Sequence, residues 1–209
     1  MTPEAFAAEY GVSRETLARL TRYAALLEQW GRAINLVSRA TLPDLWQRHI
    51  ADSAQLMALA PACARSWLDL GAGAGLPGLV IAALAAERGS PAVTLVEADT
   101  RKAAFLVTAA REMELSVEVV PRRIEALSLP EPPDILSARA LAPLSDLCAM
   151  AERLAGPDTV CLFPKGVRAD FELTEAGRHW HYHVTKIASR TDGKATILRL
   201  TQIRNRAGP

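Results

Sequence analysis

The sequence predicts an α/β fold: a mostly parallel sheet, a helical N-terminal extension and an antiparallel C-terminal strand pair. Three observations carry this expectation. From Ser66 onward short β-rich runs alternate with helical ones, the pattern of strand–helix–strand units. The stretch before Ser66 has helical periodicity and helix-start signals instead. The last two β-rich runs are joined by a turn around Asp192-Gly193, too short for a parallel crossover.

Taken in order, Pro3 after Thr2 suits the first turn of a helix, and Ser13 caps a second helix with the apolar stripe Leu17, Leu20, Ala24, Leu27 and Trp30. A third helix is expected to begin near Pro43. The predicted strands are Ser66 to Leu70, Ala92 to Glu97, Ser116 to Val120, Asp134 to Ser137 and Thr159 to Phe163. Helices are expected from near Pro77, Thr100, Pro143 and Val167, with a short helical segment from Ile124 to Leu127. His179 to Ala188 and Ala195 to Ile203 form the antiparallel pair, and Leu129 to Pro133 is a stiff, proline-rich connector. Residues 1–65 thus read as a helical extension and residues 66–209 as the main domain, together one compact unit.

With 209 residues, 50% of them hydrophobic, the chain is long enough to bury a substantial core. Apolar runs fall short of the ~18 residues of a membrane span, and the N-terminus carries acids where a signal peptide places bases. A cytoplasmic location without membrane association is the expectation. Cys63, Cys148 and Cys161 are odd in number and widely spaced, which fits neither a disulfide framework nor a metal site; all three read as core fillers. The net charge of +1 decides nothing about nucleic acid, but from Lys186 onward six basic residues face one acid, Asp192. That excess suits either phosphates or a solvated strand face.

The most informative segment is Ser66 to Gly78, where an apolar run stops at an acid, Asp69, and passes through Gly71, Gly73, Gly75 and Gly78 before resuming as a helix. Glycines let backbone approach a ligand, and a loop opening a helix offers unpaired N–H groups. Gly73-x-Gly75-x-x-Gly78 also satisfies a dinucleotide fingerprint, which keeps an NAD-dependent oxidoreductase in view. Pro77 removes an N–H where a pyrophosphate would seek one, and the Asp69 charge would repel it. The same charge suits a ligand bearing an ammonium and a sulfonium, such as S-adenosylmethionine. Glu97, closing the second strand, can accept from both hydroxyls of an adenosine ribose.

His179, His181 and His183 alternate and would share one face of a strand. With no acid or cysteine nearby, and with Trp180 and Tyr182 between them, they read as a half-buried strand in preference to a metal site.

Asn35-Leu36-Val37-Ser38-Arg39, Arg48-His49-Ile50-Ala51-Asp52-Ser53, the glycine turn ending Gly75-Leu76-Pro77-Gly78, Arg123-Ile124-Glu125, Ala138-Arg139-Ala140 and Pro164-Lys165-Gly166 occur in that order. In these strings the chain resembles the RsmG family, also called glucose-inhibited division protein B, of bacterial 16S rRNA guanine-N7 methyltransferases. The resemblance implies a class I S-adenosylmethionine-dependent methyltransferase of Rossmann-like fold, with the helical extension over its site. It places cofactor contacts on Gly71, Leu76, Ile124, Glu125 and Arg139, to which the physical reading adds Asp69, Gly73, Gly75 and Glu97. Family members more often carry aspartate where this chain has Glu97, whose reach is longer.

The implied substrate is 16S rRNA or a precursor of the small ribosomal subunit, and the protein is expected to act as a monomer. Guanine N7 already presents a lone pair, so no acid–base residue is expected. Arg139 and Lys165 are expected to position the reactants, while Arg48, His49, Arg123 and Lys165 are candidates to hold phosphates or the base edge. Each has a structural alternative: a surface ion pair for Arg123, a strand-end cover for Lys165, a satisfied backbone carbonyl for His49. A noncatalytic RNA-binding factor with the same fold is the remaining alternative.

Overall fold

In the computed structural model, which describes residues 1–207, seven strands form a single sheet. They are β1 (Ser66–Leu70), β2 (Ala92–Val96), β3 (Val117–Val120), β4 (Ile135–Ser137), β5 (Val160–Lys165), β6 (Trp180–Ala188) and β7 (Thr196–Asn205). The spatial order is β3-β2-β1-β4-β5-β7-β6. The first five are mutually parallel, and β7 runs antiparallel to both β5 and β6, as the short final turn requires. The order reverses between β1 and β4. In open α/β sheets that reversal opens a crevice beyond the strands' carboxyl ends.

Helices α1 (Pro3–Tyr10) and α2 (Arg14–Trp30) start at their expected caps, Thr2 Oγ1 accepting from Ala5 N at 3.2 Å and Ser13 Oγ from Thr16 N at 3.1 Å. The stripe of α2 centres on Leu20, Tyr23, Ala24 and Leu27, all buried, with Leu17 and Trp30 on its half-buried margins. The helix expected near Pro43 takes a different form. Residues Arg39–Asp44 wind as a 3-10 helix containing Pro43, Trp46–Ala51 as a π-helix, α3 (Asp52–Ala54) as one α-turn, and Gln55–Leu59 as a second 3-10 helix. Pro43 has no N–H to give an α-helical ladder, and π-turns are frequent where a fold must aim side chains at a site.

The remaining helices are α4 (Gly78–Arg88), α5 (Thr100–Glu112), α6 (Leu144–Leu154) and α7 (Ala169–Ala176). Two apolar layers sandwich the sheet. Trp67, Leu95 and Ile135 face the layer of α4 and α5, while Leu68, Leu70, Leu136 and Phe163 face that of α6. Helix α4 is buried from Gly78 through Ala85 because α2 covers the side that the sheet does not. The N-terminal helices therefore share one core with the sheet, including Phe6, Leu20, Tyr23 and Leu27.

Two sequence readings need correction. Cys148 and Cys161 are buried, but Cys63 is exposed, since it lies in the loop before β1. Of the three histidines, His179 precedes β6, so they are not one strand stripe, but His181 and His183 share the exposed face of β6 opposite Trp180 and Tyr182. The bulge beside them belongs to β7, where three steps from Arg204 to Thr201 span two of β6 and Gln202 has φ +54°. Among the described residues no group of three His, Cys, Asp or Glu could hold a metal, and no helix is long and apolar enough to cross a membrane.

Candidate functional site

The glycine turn sits at the β1–β4 reversal. Gly71 has φ +61°, and a Cβ there would lie 2.5 Å from Leu141 Cδ1, so only glycine lets the loop after β4 close over the turn. Gly75 has φ +86° and would bring a Cβ to 2.5 Å from Leu79 Cδ1; it packs the turn onto α4, outside the lining of the cavity that Gly71 and Gly73 border. Two sequence expectations change here. The opening of α4 offers fewer free amides than expected, because Gly78 N donates to Asp69 Oδ2 at 3.0 Å and Leu79 N to Gly75 O at 2.8 Å. Asp69 itself is fully buried and turned away from the cavity, its other oxygen accepting from Ser137 Oγ at 2.6 Å, which in turn accepts from Trp67 Nε1 at 2.7 Å. Its carboxylate occupies the helix terminus that a pyrophosphate would need, against the dinucleotide reading. Burial raises the Asp69 carboxyl to about 7, against the opposing pull of Ser137, Gly78 and Arg139.

Beyond the turn lies a narrow cavity of about 490 Å³. Gly71, Gly73, Leu76, Glu97, Ile124, Glu125 and Arg139 all line it. Glu97 is only 8% exposed, yet its carboxylate is held open to the cavity by two backbone donors, Gly73 N to Oε2 and Asp99 N to Oε1, both 2.8 Å. Arg123, expected on the substrate side, lines this narrow cavity instead, since it immediately precedes the 3-10 turn Ile124–Ala126. That turn is pinned from below by Arg153, which donates to Ile124 O and, at 2.7 Å, to Glu125 O. Leu36, Lys102 and Met150 also face the cavity; Leu36 lies in one of the family strings, whereas nothing in the local sequence marks Lys102 or Met150.

A wide cleft of about 1190 Å³ opens on the other side of the loop after β4. Arg139, Ala140 and Leu141 line both spaces. Ala140 has φ +51°, a left-handed conformation costing a non-glycine residue about 1–2 kcal/mol, which the neighbouring contacts must hold in place. Arg48, His49 and Lys165 line the cleft. Arg139 is held in a fixed pose: Nη1 donates to Asp52 Oδ2 at 3.1 Å, and Nη2 lies 2.8 Å from His49 Nδ1. Because a guanidinium can only donate, His49 Nδ1 accepts, and Nε2–H is left to donate to Thr41 Oγ1 at 2.8 Å. Burial, then the Arg139 charge, lowers the His49 imidazole to about 4, so it is neutral. His49 thus holds Arg139 from the cleft wall, and a hydroxyl, not the backbone carbonyl of the structural alternative, satisfies its second nitrogen.

Asp52 is oriented in turn by Thr191 Oγ1 at 2.7 Å and Gln55 Nε2 at 2.9 Å. The π-helix sets the His49 ring and the Arg48 carbonyl toward Arg139, and the hairpin between β6 and β7 supplies Thr191. Lys165 is also committed: Nζ donates to Ala142 O and pairs with Glu172 Oε2, both at 2.8 Å, and Glu172 accepts from Leu144 N at 2.8 Å. It braces the loop that carries Arg139. In the basic C-terminal stretch, Lys186 pairs with Asp170 and Arg190 with Glu9, while Arg206 donates to two carbonyls.

The sequence pattern of the GidB family, described as rRNA small subunit methyltransferase G, matches residues 16–198. A ribosomal RNA small subunit methyltransferase G of Rhodospirillum centenum is 52% identical over 95% of this chain and 89% of its own. One from Cereibacter sphaeroides is 47% identical over 96% of this chain and 97% of its own. In architecture the chain is similar to a glycopeptide N-methyltransferase complexed with S-adenosylmethionine, with a TM-score of 0.58 at 12% identity over 74% of this chain and 94% of that one. That likeness is one of fold, the class I S-adenosylmethionine-dependent methyltransferase fold. On sequence and fold together, the chain belongs to the GidB family of small-subunit ribosomal RNA methyltransferases.

Proposed function

We propose that this chain transfers a methyl group from S-adenosylmethionine to N7 of a guanine in 16S rRNA. The observation that carries the reading is the pair of cavities meeting at Arg139, one glycine-lined and closed by Glu97, the other wide and bordered by basic side chains. The narrow cavity fits the cofactor: its volume is in the range of small-molecule sites, and Glu97 presents two carboxylate oxygens whose remaining lone pairs suit ribose hydroxyls. Gly71 and Gly73 allow backbone approach, Leu76 and Ile124 supply apolar walls, and Glu125 and Arg139 supply polar ends. Asp69 and Gly75 act from beneath by shaping the turn.

The bound cofactor supplies an electrophilic methyl on a sulfonium, and the chain's own residues do the rest by placement. No residue need remove a proton, because guanine N7 carries a lone pair at neutral pH. The cleft agrees with that: His49 is neutral with both ring nitrogens engaged, and Asp52 accepts from Arg139, Thr191 and Gln55. Arg139, preset by His49 and Asp52, is suited to fork onto the base edge or a phosphate, and Lys165 keeps its loop in register. Orientation of this kind can remove on the order of 7–11 kcal/mol of barrier. Exposed Arg48 on the cleft side and Arg123 on the narrow side are the candidates for backbone phosphates.

In this reading residues 1–65 are the extension over the site and residues 66–209 the catalytic domain. The protein acts as a cytoplasmic monomer on 16S rRNA or a small-subunit precursor. The target base must leave its stack, since A-form RNA hides N7 in a deep groove. Incubation with radiolabelled S-adenosylmethionine and small subunits from cells lacking the modification tests it. Label recovered as 7-methylguanosine supports the proposal; unlabelled RNA, or label on another atom, defeats it.

A further inference from the structure

We propose that Phe171, backed by the Arg168 guanidinium, is a stacking platform for an unpaired RNA base next to the target nucleotide. This rests on the RNA methyl transfer proposed above and extends it to how the substrate strand is held. Phe171 is 54% exposed and is the one aromatic among the exposed large hydrophobic residues described. Its exposure follows from its position on α7, whose buried residues are Ala169 and Ala176; Phe171 lies about 200° around the helix from Ala169. Arg168, Phe171, Glu172 and Glu175 follow the spacing i, i+3, i+4, i+7 and make one wall of the wide cleft.

The Arg168 Cζ sits 4.9 Å from the Phe171 centroid, so a cation covers part of one ring face while the rest stays open to the cleft. Cation-backed aromatic rings are what splayed nucleobases stack on, and phenylalanine, having no polar handle, accepts any base. The acids on the wall do not repel a strand at full strength, because Glu172 is paired with Lys165 and Glu175 with Arg178. Space is sufficient as well. The narrow cavity takes a nucleoside-sized ligand in about 490 Å³, whereas the cleft has about 1190 Å³, room for the target base and a neighbour.

The test compares Phe171→Ala, Phe171→Leu and Phe171→Trp with wild type on unmodified small subunits, measuring KM for the particle, kcat at saturation and cofactor affinity by calorimetry. Stacking predicts that alanine and leucine each raise KM by roughly 5- to 150-fold, the equivalent of ~1–3 kcal/mol per stacked base. Tryptophan should keep KM within about threefold, with kcat and cofactor affinity little changed in all three. An unchanged KM in Phe171→Ala overturns the proposal. So does a leucine variant as good as tryptophan, which would identify an apolar contact with a ribosomal protein instead. Failure of this inference alone leaves an active wild type, whereas a wild type that never labels the RNA overturns the parent reading too.

Discussion

Replacing Glu97 with alanine separates a fold contribution from a ligand contribution. The carboxylate accepts from Gly73 N and Asp99 N, each at 2.8 Å, so its loss strands two backbone donors. A buried unsatisfied donor costs about 1–3 kcal/mol, but Gly73 and Asp99 are half-buried and water can replace the acceptor. The expected stability loss is therefore about 1–2 kcal/mol in total, a fall in Tm of roughly 2–8 °C for a domain of this size. Ligand affinity should suffer more. Two ribose hydroxyls donating to an ionised acceptor are worth ~1.5–3 kcal/mol each, which places the increase in Kd at about 10²- to 10⁴-fold. Calorimetry with S-adenosylmethionine and its demethylated product, beside thermal melts, reads both quantities. Glu97→Gln should fall between, since an amide retains one acceptor but turns an NH2 toward a backbone donor. A folded Glu97→Ala protein with Kd within about threefold of wild type would refute the ribose role.

Arg139→Ala should lower turnover at least 10²-fold while the protein stays folded, and Arg139→Lys should not rescue it, because one ammonium cannot reproduce a fork held by both Asp52 and His49; near-wild-type kcat in either variant removes Arg139 from the site. Asp69→Asn should flatten the dependence of stability on pH. The Asp69 carboxyl is raised from 3.8 to about 7 in the folded protein, so its stabilising contribution is complete below the lower value and is lost as pH rises through the upper one. That makes the wild type lose on the order of 4 kcal/mol relative to the variant across the window, readable as urea midpoints on either side of it; parallel pH profiles would dismiss the assignment. Gly78→Ala should destabilise by about 1–3 kcal/mol, since a Cβ there would collide with Leu95 Cδ2 and lie 2.8 Å from Asp69 Oδ2; an unchanged denaturation midpoint would contradict that packing.

The features legible in the chain were the local ones. Thr2 and Ser13 announce helix starts because a cap reaches only two or three residues ahead, and the parallel strands are readable because buried runs and glycine or proline punctuation are short-range signals. Where a local rule was broken, reading failed: Pro43 marked an irregular stretch as a helix, and the histidine alternation overran the strand start, leaving His179 outside β6.

The sequence by itself determined the α/β order, the glycine turn at the close of β1 and the family strings, for these depend on neighbours along the chain. Only the tertiary structure decided what each charged residue does. Asp69 turns under the helix, His49 and Asp52 brace an arginine that lies 90 and 87 residues away, and Arg123 and Lys165 divide between two cavities. The physical reason is that a charge takes its role from whichever partner burial brings within hydrogen-bond distance, and that partner is set by sheet order, not by position in the chain.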